Sequence, residues 1–252
     1  MPLPGFTKRR CPTQEMFVFE LASGLDPKRL AEIYREFHRL QIRNFLSDES
    51  ARNLHRELAD SAEWRLTVNR GEEIRHFSLD HLSAWTDEQH ALLERAVTFG
   101  GRYGFQFRYE VIRLESTTGE MLLAFRDFLS SPEVVELMRE ITGVDDISFA
   151  DAHASRYQPG HFLTAHDDHQ ESMRRKAAYV LNLTPEWRPD WGGLLQFYDA
   201  SGNVSRAFTP GFNVLNIFRV PQTHSVSWVT PIAAAPRYAV TGWLRAGEAA
   251  DD

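Results

Sequence analysis

The stretch from Ile147 to Ala246 most constrains the fold, because nearly all of it reads as short β-prone runs separated by tight turns. The turns are marked by Gln158-Pro159-Gly160, Arg188-Pro189-Asp190, Gly192-Gly193, Ser201-Gly202-Asn203 and Thr209-Pro210-Gly211. Strands at this spacing predict a β-sandwich or small barrel. Before Gly143 the pattern is mixed. Glu15–Glu20, Leu40–Phe45 and Trp64–Asn69 read as strands. Asp26 before Pro27, and Ser47 before Asp48-Glu49, are helix starts, and Ser131-Pro132-Glu133 starts another helix running through Ile141. Thr86–Phe99 and Glu120–Ser130 have helical spacing. The expectation is an α+β protein forming a single domain over residues 1–252. A helix-rich N-terminal support region, 1–143, would pack on one face of a strand-rich core, 144–246.

Composition matters mainly for what it excludes. No apolar run approaches the ~18 residues of a membrane span. The opening MPLPGFTKRRCPTQ has no apolar stretch after its basic residues, so a secretory signal is not expected. Cys11 is the only cysteine, which rules out an internal disulfide and favours a cytoplasmic setting. Net charge is −7 and the basic residues are scattered, so direct nucleic-acid binding is not expected.

Chemistry enters with Thr164-Ala165-His166-Asp167-Asp168-His169. On a strand, residues i and i+2 share a face, so His166 pairs with Asp168, and Asp167 pairs with His169 on the other side. Alone, such a dyad is unremarkable. His224 opens a strand 56 residues beyond Asp168. Further on, Arg237-Tyr238-Ala239-Val240-Thr241-Gly242-Trp243-Leu244 sets Arg237, Ala239, Thr241 and Trp243 on one face and the apolar Tyr238, Val240 and Leu244 on the other. The second face should pack under the helices, which turns Arg237 inward. No acidic residue shares its strand face, so an anion from elsewhere must meet it, and a carboxylate suits its fork. Two histidines and a carboxylate at this spacing form the facial triad of non-haem Fe(II) oxygenases, and Arg237 lies where a 2-oxo acid would anchor its far carboxylate.

The segment from about Phe149 to Ala246 resembles the prolyl-hydroxylase branch of the Fe(II)/2-oxoglutarate dioxygenases. The run AHDDHQESMRRKAAYVLNLTPEW is especially similar to the ribosomal-protein prolyl hydroxylases, and RYAVTGW to the matching strand of the oxygen-sensing ones. The resemblance implies a double-stranded β-helix, or jelly-roll, core. It implies Fe(II) held by His166, Asp168 and His224, with no catalytic side chain beyond the metal centre. Arg237, Thr241 and Tyr157 would bind 2-oxoglutarate, Trp243 would wall the substrate pocket, and O2 and ascorbate (as reductant) would complete the chemistry. The implied partner is a proline-containing protein or peptide. One departure stands out: the oxygen-sensing relatives carry a second co-substrate tyrosine where this chain has Val180, with Tyr179 one position off. Asp167, His169, His153 and His161 are expected to be structural or solvated, and Arg174-Arg175 an exposed loop.

Three rival readings follow from the same residues. One is a hydroxylase of a free amino acid or other small molecule. The second is a non-catalytic cupin-like metal- or ligand-binding protein. A third takes His166-Asp167 as part of a phosphohydrolase site, but such sites sit on helices and Pro159-Gly160 argues against one here.

Overall fold

The structure is a computed structural model that describes residues 17–114 and 118–248. Cys11 and the start of the expected Glu15–Glu20 strand lie outside those residues, and Phe17–Glu20 is extended chain without a ladder, followed only by a bridge from Leu21 to Leu46. The helix starts fall where the capping residues place them. The Asp26 side chain accepts from Arg29 N and Pro27 opens α1 (Pro27–Phe37). After β1 (Arg39–Arg43), Ser47 caps α2 (Asp48–Asp60). The hairpin β2 (Arg65–Arg70) and β3 (Glu73–Ser78) leads through the short α3 (Leu79–Ser83) to α4 (Asp87–Tyr103), which Thr86 and Gln89 start with a reciprocal capping box. Then come β4 (Phe107–Arg113), α5 (Glu120–Leu129) and α6 (Pro132–Thr142), the last ending at Gly143 in the left-handed region.

From there the chain is strands: β5 (Ile147–Ala150), β6 (His153–Tyr157), β7 (Phe162–His166), β8 (Arg175–Leu183), β9 (Leu195–Tyr198), β10 (Val204–Phe208), β11 (Phe212–Arg219), β12 (His224–Val226) and β13 (Arg237–Ala246). They form one antiparallel sheet in the order β1-β11-β8-β13-β6-β4-β7-β12-β9-β10. β5 is attached at β13, and β2 with β3 at β4. The sheet curls into the barrel of a jelly roll, so the expected fold class holds. Among the described residues, those up to Arg113 contribute four strands to this sheet, of which β3 and β4 were not legible in the sequence. β3 is exposed along nearly its whole length and β4 mixes arginine, glutamate and tyrosine, so neither shows clean alternation.

Period two in β13 divides the barrel into inside and outside. Tyr238, Val240 and Leu244 join the large core shared with α1, α2, α5 and α6, where Phe45, Leu54, Leu58 and Phe125 are fully buried. Truncating such a residue to Ala costs about 3–5 kcal/mol for a phenylalanine. Ala239 and Trp243 face the other way, into a smaller core with Ala178, Val180, Phe197 and Phe218. That inner core floors the site. The longest helix, α4, packs elsewhere, with Val97 against Leu66, Val68 and Phe162.

Candidate metal and co-substrate site

β7 and β12 pair antiparallel with His166 directly opposite His224, which is why two histidines 58 residues apart meet. Their rings lie 4.2 Å apart. Asp168 reaches the same point by another route than the expected one. β7 ends at His166, and Asp168 lies past it with φ 62, in the left-handed region that aspartate tolerates better than most residues. The Arg175 guanidinium fixes this turn by donating from Nη1 to the Asp168 carbonyl at 3.1 Å. His166, Asp168 and His224 each offer a ligand atom, all within 4.8 Å of one another.

The hydrogen bonds decide what these groups can bind. His166 Nδ1 donates to the Thr164 carbonyl at 3.0 Å, and His224 Nδ1 donates to the Gln222 carbonyl at 2.8 Å. A carbonyl can only accept, so in both neutral rings the proton sits on Nδ1 and the Nε2 lone pair is free. Those lone pairs face the Asp168 oxygens at 3.3 and 3.4 Å. Burial, then the nearby His166, push His224 down to about 4, so it is neutral at physiological pH. Burial raises the Asp168 carboxyl, but its contacts with the two imidazoles, His166 first, outweigh it and lower the group to about 2. Two lone pairs and a carboxylate converging this closely repel unless a cation sits among them. Nitrogen and oxygen donors in a facial arrangement suit a divalent first-row metal.

On β13, lining the same cavity, lies Arg237, 2% exposed. Its Nη2 donates to Asn182 Oδ1 at 3.2 Å, while Nε and Nη1 have no partner. Its guanidinium carbon lies 5.1 Å from the Tyr157 ring centre. Gly192 and Gly193 let the chain pass close by. Both have positive φ, a Cβ on Gly192 would lie 1.9 Å from the Trp228 carbonyl oxygen, and one on Gly193 would touch Arg237 Cδ at 3.4 Å. A cavity of about 460 Å³ holds all the residues expected at the site: His166, Asp168, His224, Arg237, Thr241, Tyr157 and Trp243 line it. Orphaned guanidinium N–H groups at one end and a cation-demanding cluster at the other fit Fe(II) and a dicarboxylate 2-oxo acid.

Several lining residues differ from expectation. His153 lines the cavity and is pushed down to about 4 by burial, whereas His161 Nδ1 accepts from Gln158 N at 3.0 Å, a structural role. Asp167 and His169 are exposed at the rim, where Asp167 Oδ1 accepts from His169 N. Arg174 is exposed, but Arg175 turns in and stacks 3.6 Å over the Trp243 ring. The Trp243 indole N–H is buried without a hydrogen-bond partner, near enough to Asp168 to help hold its charge without bonding geometry. Tyr179 points outward and donates to the Asp151 carbonyl at 2.8 Å, leaving Val180 at the cavity. A second tyrosine comes instead from β4: Tyr109 stacks on Tyr157 at 5.1 Å and 11°. Asn182 was also missed, although a lone polar residue inside KAAYVLNL is the kind of signal that marks a buried hydrogen-bonding role.

Residues 152–245 match the family model described as the 2OG-Fe(II) oxygenase superfamily. The chain is 29% identical over 129 residues to mouse prolyl 3-hydroxylase OGFOD1, and 33% identical over 127 residues to the Xenopus laevis protein of that name. Each alignment covers 48% of this chain but only 22% of the relative, so the chain spans about a fifth of those proteins. Among solved structures it is similar to a Pseudomonas putida prolyl-4-hydroxylase, with TM-score 0.58 and 17% identity over 88% of this chain and 100% of that one. It is also similar to a Trichoplax adhaerens prolyl hydroxylase in complex with a hypoxia inducible factor peptide fragment, with TM-score 0.54 and 16% identity over 87% and 90% of the two chains. At that identity the structures establish the fold. The match to the 2OG-Fe(II) oxygenase superfamily covers residues 152–245, and the fold of the chain agrees with it.

Proposed function

We propose that this chain is a 2-oxoglutarate-dependent hydroxylase acting on a prolyl residue of a polypeptide, with a ribosomal protein as the leading candidate. One observation carries the reading: a three-residue cluster able to hold a cation shares a 460 Å³ cavity with a buried, under-bonded guanidinium. His166, Asp168 and His224 would hold the iron, and Arg237 and Thr241 would take the far carboxylate of 2-oxoglutarate, with Tyr157 walling its path. When bound, Fe(II) couples oxidative decarboxylation of 2-oxoglutarate to hydroxylation, one atom of O2 entering succinate and the other the substrate.

The chain's own residues bind, orient and exclude water. The carbonyls of Thr164 and Gln222 keep both Nε2 atoms unprotonated. Asn182 orients the Arg237 fork, and Phe197, Phe218 and Val180 keep the floor dry. Trp243 and Arg175, each with an unpartnered N–H, stand beside the triad where they can donate to a main-chain carbonyl of the substrate. The prolyl assignment is supported by the curated relatives and by the Trichoplax neighbour, a prolyl hydroxylase in complex with a peptide fragment. Residues 1–143 are proposed as a support region of one domain with the 144–246 core, consistent with the four strands they add to the sheet. Among the described residues no helix is long and apolar enough to cross a membrane. A single cysteine supports a cytoplasmic setting.

The test is succinate formation with Fe(II), ascorbate and proline-containing peptides from ribosomal proteins, read together with a +16 Da product by mass spectrometry. Stoichiometric succinate and hydroxyproline support the reading. Hydroxylation of free amino acids with none of peptides would replace it with the small-molecule reading. Binding of 2-oxoglutarate without turnover of any substrate would favour a non-catalytic protein.

A further inference from the structure

A groove of about 1010 Å³ runs between α4 and the β2–β3 hairpin. Its floor and walls are apolar, with Phe77, Trp85, Leu93 and Val97 among them. On α4, Leu92, Ala96, Phe99 and Tyr103 recur at i, i+4, i+7 and i+11, a single helical face. That face is not covered: Leu92 is 54%, Phe99 66% and Tyr103 72% exposed. A contiguous apolar surface of this kind, on a helix that already packs Val97 inward, marks an interaction site more often than chance exposure.

Two observations say what covers it. The first is charge. The groove lining includes Arg70, Arg75 and Arg95 and no carboxylate, on a chain whose net charge is −7. Arg75 is paired with Glu73, which Arg70 also faces across the hairpin, whereas Arg95 forms no salt bridge among the described residues. The second is continuity with the metal site. A cavity of about 730 Å³, with Glu72 in its lining, joins the two, sharing Asn69, Gly71, Gly100 and Gln106 with the groove and Ile74, Phe105, Phe107, His169 and Gln170 with the metal chamber. Phe105, 47% exposed, lies at this junction with its ring 5.4 Å from that of His166.

We propose that this groove is the docking site for a flanking segment of the polypeptide substrate, one that carries apolar side chains next to acidic ones and leads from α4 into the metal chamber. The proposal rests on the hydroxylase reading above and adds to it the recognition of substrate at a distance from the reacting residue. Apolar side chains would seat on Leu92 and Phe99, and carboxylates would meet Arg70 and Arg95. Remote contacts of this kind raise affinity and select the substrate without touching the chemistry.

The test uses the full chain loaded with Mn(II) and 2-oxoglutarate, and fluorescein-labelled synthetic 20-residue peptides with one central proline. One flank carries either Leu/Phe with Glu, Ser with Glu, or Leu/Phe with Lys, and binding is read by anisotropy. The expected result is tightest binding by the apolar–acidic flank, with Phe99→Glu and Arg95→Glu each weakening it by about tenfold or more. A peptide whose Glu is replaced by Arg should regain affinity for Arg95→Glu, an exchange that mere loss of folding would not produce. Both substituted side chains are exposed, and calorimetric binding of 2-oxoglutarate to the Mn(II)-loaded variants should match the unsubstituted chain. Equal binding of all three peptide classes, equal binding by the variants, or binding of none overturns the docking site while leaving the hydroxylase reading intact. Failure of the unsubstituted chain to bind 2-oxoglutarate overturns both.

Discussion

Replacing Arg237 by Met separates a residue kept for a ligand from one kept for the fold. Arg237 is 2% exposed, yet its fork makes one hydrogen bond, to Asn182, and one cation–π contact with Tyr157. Removing an under-compensated buried charge gains about 1–4 kcal/mol. Against this stand the orphaned Asn182 oxygen, about 1–3 kcal/mol, and the lost cation–π contact, about 1–2 kcal/mol. The terms nearly cancel, so the metal-free variant should unfold within about 1 kcal/mol of the parent, a Tm change of at most about 4 °C for a chain this size. Arg156 supplies the internal control. It also lies over an aromatic ring, 4.7 Å from Trp64, but it is half-buried and paired with the buried Glu110. Arg156→Met strands that carboxylate and should cost about 3–5 kcal/mol. The ligand response should be opposite. With Mn(II) present, 2-oxoglutarate at a hundred times its Kd stabilises the parent by about 2.7 kcal/mol. Arg237→Met loses charge-assisted hydrogen bonds worth about 1.5–3 kcal/mol each, so binding should fall by about a hundredfold or more and the shift should vanish. Differential scanning calorimetry with and without ligand reads both effects. If Arg237→Met unfolded as readily as Arg156→Met, or kept its 2-oxoglutarate shift, the assignment of Arg237 to the co-substrate would be wrong.

Further outcomes follow from the same geometry. His224→Ala should abolish Mn(II) binding in equilibrium dialysis while the fold stays intact by circular dichroism, and retention of one tightly bound ion would exclude His224 from the centre. Burial holds His224 and His153 at about 4 and His161 at about 3, so all three stay neutral in the fold while their unfolded counterparts take up protons below about 6.5. Their stabilising contribution is therefore full above that pH and falls as pH drops toward 4. The loss is about 1 kcal/mol each, roughly 3 in all, between pH 6.5 and 5.5 for the metal-free chain. Urea melts at those two pH values check it, and equal midpoints would contradict it. Gly192→Ala places a Cβ 1.9 Å from the Trp228 carbonyl at φ +71, so Tm should drop by at least about 5 °C, whereas Gly24→Ala, with open space around it, should change little.

Much of the site was legible because strands carry their side chains on fixed faces. Alternation in β13 puts Arg237, Thr241 and Trp243 on the inner face, where they line the cavity, and Tyr238, Val240 and Leu244 on the outer, in the large core. The same rule led to Asp168 facing with His166, but there the strand has already ended and a left-handed turn does the work. What period two could not give was neighbourhood across strands. Tyr109 and Arg175 come to the cavity from β4 and β8, and neither has a local pattern that points there. Their positions depend on sheet order, which side-chain alternation leaves open. The helix starts at Asp26, Ser47 and Ser131 were read more directly, since each acts on an amide group three residues away.

The most direct measurement is anomalous diffraction from crystals grown with Mn(II) and 2-oxoglutarate. The account requires one manganese peak bonded to His166 Nε2, His224 Nε2 and an Asp168 oxygen at about 2.0–2.2 Å, with the far carboxylate of the oxo acid against Arg237. A peak elsewhere, or an oxo acid turned away from that guanidinium, would contradict it.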